Sequence, residues 1–144
     1  MYDQLKLGNQ FCFRVYTLSR LITQAYRPLL KPLGITYPQY RVMLVLWEQD
    51  NLTVSDICHR LHLDTNTLTP LLQRMERDGL VLRTHGLVDG RQTLVSLTKK
   101  GQHMEEKAKD IPACITQHWH GQDLTVDELT RMMGSVDSLI DGLK

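Results

Sequence analysis

Apolar side chains recur every three or four residues in the first part of the chain. Between residues 11 and 29 these positions are Phe11, Val15, Leu18, Ile22, Ala25 and Leu29. Their spacing is that of one face of an α-helix. A second apolar stretch covers 37–49, with Pro38 tolerated in its first turn. Its run from Val42 to Trp47 surrounds most of a helix, which predicts burial on several sides.

Capping signals predict two shorter helices after these. Thr53 is an N-cap candidate with an acid, Asp56, three residues later, which resembles a capping box. Asp64 is a second N-cap candidate, and Gly79 supplies a C-terminal stop. Pro70 removes a backbone donor inside this second segment, but the pattern still predicts a helix.

The pattern changes to β-prone runs after residue 80. VLRTH and QTLVSL are separated by a segment that contains Asp89-Gly90, a hairpin turn signal. We therefore predict a two-stranded ribbon whose tip lies at residues 86–91. Thr98 then caps a charged helix of about 20 residues, and Thr125 with Glu128 opens a last helix to about Leu143.

Composition places the chain among ordinary globular proteins. With 144 residues, 42% of them hydrophobic and 23% charged, it has the size and core of one domain and is not a disordered or collagen-like chain. No apolar run reaches the length of a membrane span, and we find no signal peptide. Three widely spaced cysteines do not form a disulfide framework. We expect a cytoplasmic protein without a membrane partner.

Net charge says little about whether the chain binds nucleic acid. The chain carries +1 overall, with 11 Lys+Arg against 8 Asp+Glu in residues 1–97 and 6 against 8 in residues 98–144. A surplus of three positive charges in the first part weakly favours a DNA-facing region there.

The order of elements is that of a winged helix-turn-helix, so we predict a mainly α (α+β) fold. Small polar side chains after the Asp64 cap and cations further along can reach phosphates or base edges from a helix. Arg91 at the ribbon tip can enter a minor groove. The DNA-binding candidates are Thr65, Asn66, Thr67, Thr69, Gln73, Arg74, Arg77, Asp89 and Arg91. On spacing alone, ordinary solvated surface residues are an equally good interpretation.

Three stretches make the sequence resemble a known family. They are NQFCFRVYTLSRLITQAYRPLLKPLGITYPQYRVMLVLWEQD, LDTNTLTPLLQRMERDGLV and VDGRQTLVSLTKKG. They look like the MarR family of transcription factors, and within it the organic hydroperoxide resistance regulators (OhrR). The resemblance implies a homodimer, with residues 1–34 and 98–144 as dimerisation helices and residues 35–97 as the winged helix-turn-helix.

Cys12 is the candidate for a reactive thiol. A single cysteine among apolar helix residues is more often an inert core residue. Tyr16 lies four residues later on the same helix face. Tyr26 returns to within about 40° of that face but lies about 21 Å further along the axis. If both tyrosines serve one thiol, Tyr26 must therefore come from a second chain.

The resemblance implies roles for these residues. In the family, tyrosines matching Tyr16, Tyr26 and Tyr37 surround the cysteine that matches Cys12, some of them across the dimer interface. Their O–H groups favour the thiolate, which reacts with peroxide. In the family, oxidation of this cysteine causes the protein to release its DNA. Two-cysteine members carry a resolving cysteine in the penultimate helix, and Cys114 lies about three residues before that position.

Two other features remain open at this point. Cys58 is interpreted as a buried core residue, since a metal held by Cys58 and His62 would lack further ligands. The family's wing tip usually reads Asp-Glu-Arg, whereas this chain has Asp89-Gly90-Arg91, so it keeps the outer two residues and loses the central acid.

The leading hypothesis is a repressor that binds a pseudo-palindromic double-stranded operator and senses an organic hydroperoxide through Cys12. The alternative is a repressor that senses a small aromatic ligand in the dimer cleft, with Cys12 structural. A thiol peroxidase is disfavoured because the chain has no Cys-x-x-Cys pair. We expect no enzyme activity, no cofactor and no metal.

Overall fold

The computed structural model describes residues 1–85, 91–117, 119 and 124–144. The chain forms two compact units, residues 1–110 and 111–144. The elements of the first unit are α1 (Phe11–Leu30), α2 (Tyr37–Glu48), β1 (Leu52–Thr53), α3 (Val54–Leu61), α4 (Thr65–Arg77), β2 (Val81–His85), β3 (Thr93–Leu97) and α5 (Lys99–Ala108). The second unit contains α6 (Ile111–Gln117) and α7 (Val126–Leu143). This is the mainly helical fold with a small sheet that the element order predicts.

Reciprocal caps fix the starts of α2 and α3. The Thr53 hydroxyl accepts from the Asp56 N–H at 3.0 Å, and the Asp56 carboxylate accepts from the Thr53 N–H at 3.4 Å. The predicted capping box is therefore confirmed. Thr36 and Gln39 form the same arrangement at α2, which fixes how the chain enters the helix that carries Tyr37.

Helix α4 runs through Pro70, as predicted. A proline inside a helix costs about 3 kcal/mol. The inward face of α4 buries Leu68, Leu71, Leu72 and Met75. Each such side chain contributes about 1.5–3 kcal/mol when fully buried, so packing outweighs the lost backbone bond. Gly79 ends this segment with a φ of +78°, a left-handed conformation that glycine adopts without strain.

The sheet has three antiparallel strands in the order β1-β3-β2. The predicted ribbon of β2 and β3 is confirmed, with Val81 opposite Leu97 and His85 opposite Thr93. The predicted turn at Asp89-Gly90 lies outside the described residues. Strand β1 was not predicted, because two residues are too short to show an alternating pattern.

The prediction of one charged helix of about 20 residues after Thr98 is wrong. The structure has α5 over Lys99–Ala108 and a separate α6 over Ile111–Gln117. Pro112 has no N–H to donate to the carbonyl of Ala108, so a continuous helix would lose a bond there. The last helix, α7, follows its Thr125 cap as predicted, since the Thr125 hydroxyl accepts from the Glu128 N–H at 3.1 Å.

The core of the first unit lies between α2, α3, α4 and the sheet. Its side chains with less than 2% exposure include Leu30, Tyr40, Val42, Met43, Leu46, Ile57, Leu68, Leu72, Met75, Val81 and Val95. Two polar contacts join distant segments of it. The indole N–H of Trp47 donates to the Gly101 carbonyl at 2.9 Å, and Asp50 accepts from the Leu97 N–H at 2.9 Å.

Candidate functional site

The first candidate surface is the N-terminal half of α4. The Asp64 side chain accepts from the Thr67 N–H at 2.7 Å, and this hydrogen bonding holds the pKa of Asp64 below its usual range. The cap therefore fixes where α4 begins.

The predicted DNA-binding residues of α4 lie on its outer face. Those that are exposed are Thr65, Asn66, Thr67, Gln73, Arg74 and Arg77, and Thr69 is partly exposed. They lie opposite the buried Leu68 and Leu72. One face of α4 thus packs on the core while the other presents hydroxyl, amide and guanidinium groups.

A cleft of about 310 Å³ lies between α4 and the ribbon of strands β2 and β3, which we call the wing. Thr65 and Thr69 of α4 line it together with Arg91 and Gln92, which precede β3. The structure thus brings together three of the predicted residues, Thr65, Thr69 and Arg91. Asp89 lies outside the described residues.

An ion pair that sequence analysis missed joins α4 to the wing. Glu76 accepts from the Arg83 backbone N–H at 2.9 Å and from its guanidinium Nη2 at 3.1 Å. These hydrogen bonds, with the positive charge of Arg83, lower the pKa of Glu76. The two residues are seven apart and belong to different elements, so no periodic pattern links them. The pair fixes strand β2 against α4.

The second candidate site begins at the start of α1. Cys12 is the second residue of α1 and is exposed. Tyr16, one helical turn later, is 72% exposed. The flanking Phe11 and Phe13 are also exposed, at 59% and 43%. This end of α1 therefore presents a thiol, a phenol and apolar rings on an open surface.

A cluster of tyrosines lies near the other end of α1. The ring centroids of Tyr26 and Tyr37 are 4.7 Å apart, and Tyr40 lies 5.5 Å from Tyr26 and 6.3 Å from Tyr37. Burial, followed by the neighbouring Tyr37 and Tyr40, raises the pKa of Tyr26 to about 12. Tyr26 therefore keeps its proton at neutral pH and remains a hydrogen-bond donor. We define Tyr26, Tyr37 and Tyr40 as the tyrosine cluster.

The structure divides the predicted thiol site into two parts. Cys12 and Tyr16 lie near the start of α1, while Tyr26 lies about 21 Å along the helix axis from Cys12. Tyr37 joins Tyr26 rather than Cys12. Tyr40 was not predicted, although its position three residues after Tyr37 on a helix was a signal that it shares that face.

A larger cleft lies beside the tyrosine cluster. Its volume is about 540 Å³. It is lined by Thr23, Arg27, Lys31, Gly34, Ile35, Thr36, Tyr37 and Pro38. The lining thus includes one aromatic ring, that of Tyr37, and two cations, Arg27 and Lys31.

Comparisons with known proteins agree with this geometry. The model of the MarR family matches residues 35–93. The organic hydroperoxide resistance transcriptional regulator of Bacillus subtilis is 50% identical over 114 residues, which cover 79% of this chain and 78% of that protein. The chain belongs to the MarR family. It is a transcriptional regulator rather than an enzyme, as the sequence predicted.

Solved structures of another MarR-family protein, AbfR of Staphylococcus epidermidis, are also similar. Reduced AbfR bound to DNA is 37% identical with a TM-score of 0.83, over 98% of this chain and 96% of that one. Disulfide-formed AbfR, also 37% identical, has a TM-score of 0.67 over 96% and 95% of the two chains.

The remaining cysteines differ in environment. Cys58 is buried, as predicted, with its Sγ 4.0 Å from the hydroxyl oxygen of Thr65. Cys114, in α6, is partly exposed. Across the part of the chain that the structure describes, no cluster of three or more His, Cys, Asp or Glu side chains could hold a metal.

Both long terminal helices leave apolar side chains uncovered. On α1 these include Val15, Leu18 and Leu21, each about half exposed. On α7 they include Met132, Met133, Val136, Leu139 and Ile140. Among the described residues, no helix is long and apolar enough to cross a membrane.

Proposed function

We propose that this MarR-family chain is a homodimeric repressor that senses organic hydroperoxides through oxidation of Cys12 and then releases its operator. The observation that carries the proposal is the contact of the Tyr26 and Tyr37 rings, 4.7 Å apart, at the end of α1 opposite Cys12. Each chain thus holds two separate parts of the proposed thiol site, a cysteine at one end of α1 and a pair of tyrosines at the other. A second chain running antiparallel along α1 would complete both.

The uncovered helices support the dimer. About half of each of the side chains Val15, Leu18 and Leu21 on α1 is exposed, and α7 leaves Met133 and Val136 open. On each helix taken by itself, several half-exposed apolar side chains of this kind mark an interaction surface. Covering it with a second copy would bury the α1 surface around Cys12.

The outer face of α4 supports DNA binding. In a helix-turn-helix the second helix enters the major groove with its first residues at the base edges. Here those residues are Thr65, Asn66 and Thr67, all exposed and positioned by the Asp64 cap. Arg91 lies across the cleft, where it can reach the neighbouring groove. Reduced AbfR, which is 37% identical, is bound to DNA in its solved structure, and this supports DNA binding by the present chain.

The proposed chemistry is a two-electron oxidation. The thiolate sulfur of Cys12 attacks one peroxide oxygen, so that an S–O bond forms as the O–O bond breaks. The leaving alkoxide takes up a proton and becomes an alcohol, while the cysteine becomes a sulfenic acid. Phenolic O–H groups of Tyr16, Tyr26 and Tyr37 donate to the thiolate. The exposed Phe11 and Phe13 favour alkyl over small polar peroxides.

The sulfenic acid has two proposed fates. It condenses with the Cys114 thiol to a disulfide and releases water, or it reacts in the same way with a small cellular thiol. Cys114 is partly exposed, and AbfR, which is 37% identical, has a solved disulfide-formed structure; both observations support the first route. Mass spectrometry of oxidised protein distinguishes a Cys12–Cys114 peptide from a Cys12 peptide that carries an added small thiol.

Release of the operator after oxidation follows from the way a dimer binds DNA. A dimer reads two half-sites about one DNA turn apart, so its affinity depends on the spacing of the two α4 helices. New covalent bulk at Cys12 would displace α1 against its partner. A small shift in that interface is enough to misplace the second α4 helix.

The test is a titration of a DNA duplex selected for tight binding by the reduced protein. We expect cumene hydroperoxide to weaken binding of the wild type at least about tenfold, and dithiothreitol to restore it. Cys12→Ser should bind DNA and ignore the peroxide, while the control Cys58→Ala should respond like the wild type. Full release of Cys12→Ser by peroxide, or unchanged affinity of the oxidised wild type, would contradict the proposal.

The cleft beside Tyr37 favours one alternative, a repressor that responds to a small aromatic ligand. Its volume of about 540 Å³ lies in the range of small-molecule sites. In that case salicylate or a similar phenolic compound should release DNA from Cys12→Ser as well as from the wild type. Release restricted to peroxide-treated wild type would exclude this function.

A further inference from the structure

Arg41 is a cation on the tyrosine cluster that the proposed chemistry has not used. It follows Tyr37 by four residues on α2, so the two side chains share a helix face. The guanidinium carbon lies 5.7 Å from the centre of the Tyr37 ring. This distance is within the range of a cation–π interaction.

The guanidinium of Arg41 is poorly compensated. Its Nε is covered by protein and has no hydrogen-bond partner among the described residues. Within the same residues no carboxylate forms an ion pair with Arg41. Arg83 also has a covered Nε without a partner, but its guanidinium pairs with Glu76 at 3.1 Å, whereas Arg41 has no such carboxylate among the described residues. Because buried donors are nearly always paired in proteins, a covered Nε on an arginine without an ion pair needs an explanation.

The position of the charge suggests what it does. A cation over a phenol ring draws electron density from the ring, which makes the hydroxyl a stronger hydrogen-bond donor. It also adds a favourable Coulomb interaction with any anion that the hydroxyl binds, and partial burial weakens solvent screening of that interaction. Arg27 and Lys31 line the nearby cleft but are exposed, so water screens them more.

We infer that Arg41 is a positioning residue of the thiol site, which speeds oxidation of Cys12 of the partner subunit by holding a positive charge on the Tyr37 ring. The inference rests on the proposed function, in which Tyr37 of one chain donates to the thiolate of the other. The balanced reaction is unchanged. Arg41 acts through Tyr37 on the ionised form of the sulfur and touches neither the peroxide nor the reacting atoms.

The test measures the rate of sulfenic acid formation at Cys12 in the full-length protein, with excess cumene hydroperoxide. Arg41→Met keeps the length of the side chain and removes the charge, and we expect it to react about fivefold more slowly. Arg41→Lys restores a cation and should react within about twofold of the wild type. Lys107→Gln, which removes a positive charge from α5, is the matched control and should leave the rate unchanged.

A purely structural role would not move the pH profile of this rate. We therefore expect the profile of Arg41→Met to shift to higher pH, and that of Arg41→Lys to stay in place. Circular dichroism and the DNA affinity of the protein in its reduced form establish that each variant is folded. Arg41→Gln replaces Arg41→Met if the latter fails to fold.

Three results would overturn the inference. Arg41→Met, or its substitute Arg41→Gln, could react as fast as the wild type with an unshifted profile, or Arg41→Lys could react as slowly as Arg41→Met. Either result would leave the proposed function intact if the wild type still reacts. A wild-type Cys12 that is inert toward the peroxide would instead overturn the proposed function itself, and this inference with it.

Discussion

Replacement of Gly101 by alanine tests how closely α5 packs on the base of the wing. A Cβ atom at this position would lie 2.4 Å from the Leu80 carbonyl oxygen and 3.1 Å from Cδ2 of Leu97. The first distance is far below van der Waals contact and involves backbone, which cannot rotate away. The Gly101 carbonyl also accepts the indole N–H of Trp47 at 2.9 Å. Gly101→Ala must therefore displace one of these partners.

The structure sets the size of the effect. The Leu80 carbonyl accepts from the N–H of Thr98 at 3.1 Å and from its hydroxyl at 3.2 Å. Overpacking a well-packed site costs about 1–3 kcal/mol, and a weakened hydrogen bond adds about 1 kcal/mol. The better helix propensity of alanine offsets about 1 kcal/mol. We expect the free energy of unfolding to fall by about 2 kcal/mol, which lowers Tm by about 6 °C.

The assay is urea unfolding followed by circular dichroism, at one protomer concentration because dimerisation adds to stability. Gly142→Ala is the matched control, since a Cβ at Gly142 would meet no heavy atom of the described residues within 4 Å. Because Gly142 lies in α7, the free energy of unfolding of this variant should equal that of the wild type or exceed it by up to about 1 kcal/mol, the gain in helix propensity. If Gly101→Ala is as stable as Gly142→Ala, the close approach of α5 to Leu80 is not a constraint and this reasoning is wrong.

Three further predictions concern the two sites. Tyr26→Phe should slow Cys12 oxidation about tenfold without changing DNA affinity of the reduced protein, because it removes one phenolic donor; an unchanged rate in stopped-flow measurements would exclude Tyr26 from the site. The lowered pKa of Glu76 means that its pair with Arg83 stabilises the fold above the ordinary Glu pKa of 4.5 and is lost as pH falls through the lower folded value. Glu76→Gln should therefore be less stable than the wild type at pH 7, with a difference that shrinks below pH 4.5 in acid melts; a difference independent of pH would refute the pairing. Arg91→Ala should weaken DNA binding and reduce the slope of log K against log salt by about 0.9, whereas Arg131→Ala should change neither.

The sequence predicts local elements well because their signals are local. The cap at Thr53 and Asp56, the cap at Asp64 and the stop at Gly79 all fix an element end within a few residues. Helix α4 was predicted despite Pro70, since its apolar stripe outweighs one lost backbone bond. The single helix predicted after Thr98 is wrong because Pro112, in the first turn of α6, cannot donate the backbone bond that a continuous helix would need.

The contacts that shape the sites are not local, and the sequence alone did not reveal them. Glu76 and Arg83 meet only because α4 and β2 pack together. Tyr40 completes the tyrosine cluster because α2 packs on α1. Its side chain is only 2% exposed, although the sequence pattern of α2 would also allow a surface residue at this position. Strand β1 forms because Leu52 pairs with Val95 of β3, which lies far along the chain.

The location of the tyrosine cluster limits how a thiol sensor can be built from this chain. Cys12 and Tyr26 share a helix but lie about 21 Å apart along it. Bringing them together within one chain would require α1 to break, whereas it is continuous over Phe11–Leu30. In the proposed dimer an antiparallel pair of α1 helices solves this without strain, and two-fold symmetry then yields two identical thiol sites. In that dimer, oxidation of either Cys12 would act at the interface that sets the spacing of the two α4 helices, and a reaction far from DNA would then control binding to it.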